Sequence, residues 1–286
     1  MGADVNLVNG MIVASGKLKG TTINFATSSV GATGNVIMAA VKAEGTTIIN
    51  NAAREPEIED LCRFLIKMGA DIEGVGSSSI KVNGVDKLNS NIEHEIIPDR
   101  IEAGTYLIAA AISRGHLILN NVNALHLGSV ITSLELSGMD IDLFKNKIII
   151  KPRLNEIMPV NIETEIYPGF PTDLQAQWMA YMTQANDSSE ITESIYLDRF
   201  THIGELTRLG AKINLVKNTA NINGCSQLIG APVMSTDIRA SASLIIAAIV
   251  SQGKTEISRI YHIDRGYEQI EKKLSSLGLD IKRLSE

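Results

Sequence analysis

Cysteine and aromatic residues are scarce in this chain, and basic residues are outnumbered by acidic ones. Only two cysteines, Cys62 and Cys225, occur in 286 residues. They lie far apart without metal-ligand spacing, which excludes a disulfide framework and fits a reducing compartment. The five histidines, at 94, 116, 126, 202 and 262, form no metal-spaced pair, so neither a metal nor another cofactor is assigned. With aromatics at 4% there is no base-stacking platform, and a net charge of -6 argues against nucleic-acid binding. The longest uncharged apolar run, residues 244–250, is too short to span a bilayer. The amino terminus has no basic-then-apolar signal pattern. What is left is the expectation of a soluble cytoplasmic protein that holds any anionic ligand with local arginines. Its 44% hydrophobic content is enough to fill one large core or two ordinary ones.

What is abundant is internal repetition. Met1-Gly2-Ala3-Asp4, Met68-Gly69-Ala70-Asp71, Ser137-Gly138-Met139-Asp140, Leu209-Gly210-Ala211-Lys212 and Leu277-Gly278-Leu279-Asp280 recur with a period of roughly 69 residues. Each reads as a helix end with glycine in the left-handed position after it, then a strand. A second series runs in phase, from Gly45-Thr46, Gly115-His116, Ser189-Glu190 and Gly253-Lys254. One unit is therefore strand, helix, strand, helix, strand, strand. In the first full unit the expected strands are 21–25, 46–50, 71–73 and 80–82, and the helices 35–43 and 58–68. Later units open near Glu95, Val160 and Gly230, and a last strand follows Gly278. Helices 106–113 and 244–250 are apolar nearly all round, which predicts inner helices with sheets outside.

The first helix of each unit starts near Ser29, Asp99, Asp173 and Asp237. A helix start offers unpaired N–H groups to an anion or hydroxyl. Residues 167–177, YPGFPTDLQAQ, are the most constrained example. Two prolines stiffen the approach, and Thr172 with Gln175 fits a capping box. That leaves Asp173 in the first turn with no structural duty, placed for proton chemistry; a plain complement to the helix dipole is the competing reading. Residues 28–34, SSVGATG, suit a phosphate cradle or an ordinary turn. Asp99 with Glu102 reads as a structural cap. Asp237 and Arg239 form a local ion pair or bind a ligand. Arg199 and Arg265, each directly after an aspartate, suit carboxylate or phosphate binding, or else a solvated salt bridge. Cys62 reads as a small core residue.

The segments NAAREPEIEDLCRFL, IIPDRIEAGTYLIAAAI, YPGFPTDLQAQ, STDIRASASL and RIYHIDRGYEQIEKKLSSLG resemble the UDP-N-acetylglucosamine enolpyruvyl transferases (UDP-N-acetylglucosamine 1-carboxyvinyltransferases), in order and along essentially the whole chain. The resemblance implies an α/β enolpyruvyl transferase fold, an inside-out α/β barrel of repeated βαβαββ units in two domains. It implies transfer of the enolpyruvyl group from phosphoenolpyruvate to the 3-hydroxyl of UDP-N-acetylglucosamine, with release of phosphate, as the first committed step of peptidoglycan synthesis. By resemblance Asp173 deprotonates that hydroxyl and Asp237 lies close to the reacting carbons. Ser29, Val30 and Gly31 lie under the nucleotide diphosphate, and Ile195 meets the sugar through its backbone. Arg239 and Arg265 grip phosphoenolpyruvate, with Arg199 nearby, and Arg100 lies at the crossing between domains.

The sequence departs from the family's pattern in places. The lysine–asparagine pair and the mobile loop with the proton-donating cysteine have no counterpart, and Thr27 stands where the nucleotide loop usually has lysine. Six units of about 69 residues give roughly 410, so about 130 are expected to be absent at the front. Residues 1–97 then read as a truncated domain and 98–286 as a nearly complete one, with apolar helix surface exposed in the first. Two other readings stay open. One is a non-catalytic sugar-nucleotide-binding or partner subunit, with a separate amino-terminal fragment as its candidate partner. The other is the related transferase of the shikimate pathway.

Overall fold

The computed structural model describes residues 1–284. Two compact units, each with its own core, divide at the Ile97–Pro98 bond. The first opens with an antiparallel pair, β1 (Asp4–Val8) and β2 (Met11–Ser15). It continues as β3 (Thr22–Asn24), α1 (Val30–Ala40), β4 (Thr46–Asn50), α2 (Pro56–Lys67), β5 (Asp71–Glu73) and β6 (Ser79–Asn83). The last four strands form one sheet in the order β3-β4-β6-β5, parallel only between β3 and β4. Pro56 sits at the first position of α2, Glu57 and Glu59 in its first turn and Lys67 in its last, which suits the helix dipole. Its buried face carries Ile58, Cys62 and Leu65 against Ile37, Ile49 and Val82. Burial and the neighbouring Glu59 push the Cys62 thiol up to about 11, so it stays protonated and unreactive.

The second unit runs α3 (Arg100–Ile112), β7 (Leu117–Asn120), α4 (Gly128–Leu136), β8 (Met139–Phe144), β9 (Lys147–Pro152), β10 (Ile162–Glu163), α5 (Gln175–Met182) and β11 (Ser189–Thr192). It ends with α6 (His202–Arg208), β12 (Lys212–Val216), β13 (Thr219–Asn223), β14 (Pro232–Met234), α7 (Ile238–Val250), β15 (Glu256–Ser258) and α8 (Ile270–Ser276). The sheet β10-β11-β13-β12 repeats the order and the parallel first pair of β3-β4-β6-β5. The sheet β7-β9-β8 is the same pattern without its first strand, and β14 with β15 is its parallel first pair alone. Helices α3, α5 and α7 pack on one another, and every residue of α5 is buried. Trp178 sits among them, edge-on to Phe170 and Tyr181 with ring centres 5.4 and 5.2 Å away. Gly104 is where α3 meets the entry to α5: a Cβ there would lie 2.4 Å from a Leu174 methyl carbon.

Several expectations are corrected. No strand forms near Glu95, because that segment is tied to α2 instead. Asn89 N–H donates to the Met68 carbonyl at 2.7 Å, and His94 Nε2 lies 2.9 Å from Asp60 Oδ1. No strand follows Gly278 among the described residues. Arg283 instead draws that segment back, reaching Asp264 at 2.6 Å and Glu271 at 3.3 Å. Helix α1 begins at Val30, so Val30 and Gly31 lie in its first turn rather than in a loop. The helices of the first unit do expose Met38 and Ile66. The larger exposed apolar set lies on β1 and β2, at Val5, Leu7, Val8, Met11, Ile12 and Val13.

Candidate active site

Asp173 precedes α5 in a short 3-10 turn, Thr172–Leu174, entered through the extended Pro171. The capping box does not form, because the Thr172 hydroxyl donates across the unit to Glu193 Oε2 at 2.8 Å. Nor is Asp173 without structural duty. Its Oδ1 accepts Arg199 Nη1 at 2.8 Å and Arg239 Nε at 3.0 Å, and among the described residues Oδ2 takes no hydrogen bond. Burial pushes the carboxyl up, but the charges of Arg239 and Arg199 and their hydrogen bonds outweigh it. The group is held below the usual carboxylate range.

Arg239 and Asp237 do not form the local ion pair. Asp237 caps α7, its Oδ1 accepting the N–H groups of Arg239 at 2.7 Å and Ala240 at 3.0 Å. An N-cap carboxylate is occupied by the backbone, which leaves the Arg239 guanidinium to reach Asp173. Burial pushes the Asp237 carboxyl up; those two N–H groups and the Thr201 hydroxyl, 3.3 Å from Oδ2, bring it below its usual value. Arg199 pairs with Asp173 rather than with Asp198. It also donates to the Thr172 hydroxyl at 3.1 Å and lies over the Tyr196 ring at 5.4 Å. Asp264, next to Arg265, pairs with Arg283, and Arg265 has no ion pair among the described residues. Its turn adjoins the start of α7, where a Cβ on Gly266 would lie 2.6 Å from Ile238 Cδ1.

Beneath these groups lies a buried polar cluster that local sequence did not signal. Tyr267 Oη is 2.8 Å from Thr105 Oγ1, and Gln177 Nε2 donates to the Asp173 carbonyl at 3.0 Å. Burial pushes the Tyr267 hydroxyl up, and the nearby Arg239 charge works against that. The loop after β11 carries Ile195, whose N–H donates to Glu193 Oε1 at 2.9 Å. Only the Ile195 carbonyl therefore remains as a backbone partner for a ligand. His202 is fully buried against Phe200, and burial above all pushes its imidazole down to about 4. The structure thus brings Asp173, Arg199, Arg239 and Asp237 together in the second unit. Ser29, Val30 and Gly31 belong to the first, where Ser29 Oγ accepts the Ala32 N–H at 3.3 Å.

The family model described as EPSP synthase (3-phosphoshikimate 1-carboxyvinyltransferase) matches residues 1–274. The UDP-N-acetylglucosamine 1-carboxyvinyltransferase of Geotalea uraniireducens is 51% identical over 288 residues, covering 100% of this chain and 68% of that protein. The enzyme of the same name from Endomicrobium trichonymphae is 50% identical over 284 residues, covering 99% and 68%. This chain belongs to the UDP-N-acetylglucosamine 1-carboxyvinyltransferase family. Among solved structures, the enolpyruvyl transferase NikO from Streptomyces tendae has a TM-score of 0.89 at 23% identity, over 98% of this chain and 69% of that one. EPSP synthase from Acinetobacter baumannii reaches 0.74 at 18%, over 100% and 70%. At these identities the likeness speaks for the fold, which is that of the enolpyruvyl transferases, a mixed α/β architecture. As a member of this carboxyvinyltransferase family, the chain carries its Asp173 cluster within an enzyme fold. Among the described residues no helix is long and apolar enough to cross a membrane.

Proposed function

We propose that this chain takes part in transferring the enolpyruvyl group of phosphoenolpyruvate to the 3-hydroxyl of UDP-N-acetylglucosamine, the reaction that commits the sugar to peptidoglycan. The observation that carries the reading is one carboxylate, Asp173, held on Oδ1 by two guanidinium groups while Oδ2 stays open. Oδ2 takes the proton of the sugar hydroxyl as its oxygen attacks the central carbon of phosphoenolpyruvate, while a separate general acid protonates the methylene carbon, turning it into a methyl group. The tetrahedral adduct then loses that methyl proton and phosphate, leaving the enolpyruvyl ether. Arg199, Arg239 and Arg265 hold the carboxylate and phosphate of phosphoenolpyruvate, and Asp237 fixes Arg239 through the start of α7. In the second unit the Ile195 carbonyl is the backbone group left for the sugar, and in the first unit Ser29, Val30 and Gly31 offer a helix start suited to a diphosphate. Relatives near 50% identity favour the UDP-sugar over the shikimate-pathway substrate. A cytoplasmic location goes with this reading.

The second reading is a non-catalytic sugar-nucleotide-binding or partner subunit of this fold, which binds the sugar nucleotide and releases phosphate only together with a separate amino-terminal fragment. Phosphate release with both substrates, with and without an added amino-terminal fragment of a relative, tests both. Release only with the fragment is expected; release by the chain alone sinks the second reading. No release and no sugar-nucleotide binding in either mixture would overturn both.

A further inference from the structure

Glu193 follows the last residue of β11 and is fully buried. Its carboxylate is met by uncharged donors. Oε1 accepts the Thr164 hydroxyl at 2.6 Å and the N–H groups of Ile195 and Tyr196, both at 2.9 Å. Oε2 accepts the Thr172 hydroxyl at 2.8 Å. Its own backbone is pinned too: the N–H donates to the Asn218 carbonyl at 2.8 Å, and the carbonyl accepts Asn218 Nδ2 at 3.1 Å. Burying a carboxylate without a cation is costly, and a loop that needed only filling would be served by an apolar side chain. What the charge does here is geometric. The Thr172 hydroxyl gives its single hydrogen to Glu193, so its lone pairs face Arg199 Nη1, 3.1 Å away, and Arg199 then reaches Asp173. The other oxygen fixes the loop that carries Ile195 and Tyr196. One buried side chain therefore sets both the acid–guanidinium pair and the neighbouring loop.

We propose that Glu193 is a positioning residue, coupling the orientation of Arg199 and Asp173, through Thr172, to that of the Ile195–Tyr196 loop. The role in substrate binding rests on the function proposed above; the coupling itself is testable without substrate. Thr172→Val keeps the shape and deletes the hydroxyl, which leaves Oε2 and Arg199 each short of a partner. In the full chain, amide hydrogen exchange at Ile195 and Tyr196 should then quicken about fivefold or more, the factor that one ordinary hydrogen bond represents. Thr172→Ser restores the hydroxyl and should restore slow exchange, which a role in packing alone does not predict. Glu193→Gln, which aims an amide N–H at Thr172, should weaken UDP-N-acetylglucosamine binding, and Thr172→Val on top of it should add little. Unchanged exchange in Thr172→Val, failure of Thr172→Ser to rescue, or additive losses of affinity each overturn the coupling. Coupled exchange in a wild-type chain that ignores the sugar nucleotide supports the placing role of Glu193 and rejects the substrate reading instead.

Discussion

Asp173 competes with any anion that enters the site for the two guanidiniums on its Oδ1. A phosphate that draws Arg199 or Arg239 away removes part of what holds the carboxyl low, so anion binding and basicity at Asp173 rise together. Asp173→Asn removes the internal competitor; by calorimetric titration inorganic phosphate is expected to bind about tenfold tighter, the scale of one charge-assisted hydrogen bond. Unchanged or weaker binding would count against the clamp. The pair has its own pH signature. The folded carboxyl lies below its usual value, so its contribution to stability is present above an unfolded pKa near 4 and fades as pH falls through the lower folded value. His202 acts in a separate window. Its folded value of about 4 lies under an unfolded value near 6.5, so the unfolded chain alone takes up the proton between them. Stability should drop by up to about 1.4 kcal/mol for each pH unit from 6.5 down to 4. His202→Gln should flatten that slope in urea titrations at a series of pH values; an unaltered slope would refute it. At this scale the sequence disclosed Asp173, because its neighbours are constraining prolines and a helix start. It did not disclose Glu193, whose side-chain partners include residues 29 and 21 positions away. Of its two readings for Asp237 and Arg239, the local ion pair does not form, since a nearby opposite charge is all that a local pattern can offer and Arg239 reaches Asp173 instead.

At the scale of elements the repeat is written in backbone geometry. Gly69, Gly138, Gly210 and Gly278 have φ between 98 and 102°, the left-handed position after a helix that the sequence series implied, and Gly2 shares the left-handed backbone at 80°. Deeper agreement lies in contacts with no sequence signal. Gly20 N–H donates to the Glu44 carbonyl and Gly230 N–H to the Gln252 carbonyl, both at 2.8 Å. A Cβ on Gly20 would lie 2.3 Å from the Thr46 carbonyl oxygen, and one on Gly230 2.4 Å from that of Lys254. At both places a strand begins where another chain segment passes too close for any side chain. Gly230→Ala must push main chain against main chain, with an expected loss of about 1–3 kcal/mol in denaturant titrations. A loss under about 0.5 kcal/mol, the range of an ordinary surface change, would mean that the crossing yields. The succession of strands and helices along each unit was legible because polar turns and helix-end glycines punctuate it. The exceptions near Glu95 and after Gly278 were not, because side chains decide them: His94 on Asp60, and Arg283 on Asp264 and Glu271.

At the scale of the whole molecule the largest run of exposed apolar residues is the hairpin of β1 and β2. All ten of its residues are exposed, and the cross-strand pair Leu7 and Ile12 is 75% and 78% accessible. Among the described residues each strand pairs only with the other, so both outer edges present free backbone groups beside apolar side chains. A two-stranded sheet without a covering layer is marginal in water, and an apolar edge of this kind invites another strand. The wild-type chain is therefore expected to associate with rising concentration, seen as growth of the weight-average mass in sedimentation equilibrium. Replacing the pair by Leu7→Lys with Ile12→Glu puts opposite charges across the hairpin, which keeps its pairing while removing its apolar face. That variant should stay monodisperse across a wide concentration range, and its affinity for phosphate should match that of the wild type. The Asp173 cluster lies in the other compact unit, with a core of its own. A wild type that shows no association, or a variant that associates equally, would put the sticky surface elsewhere.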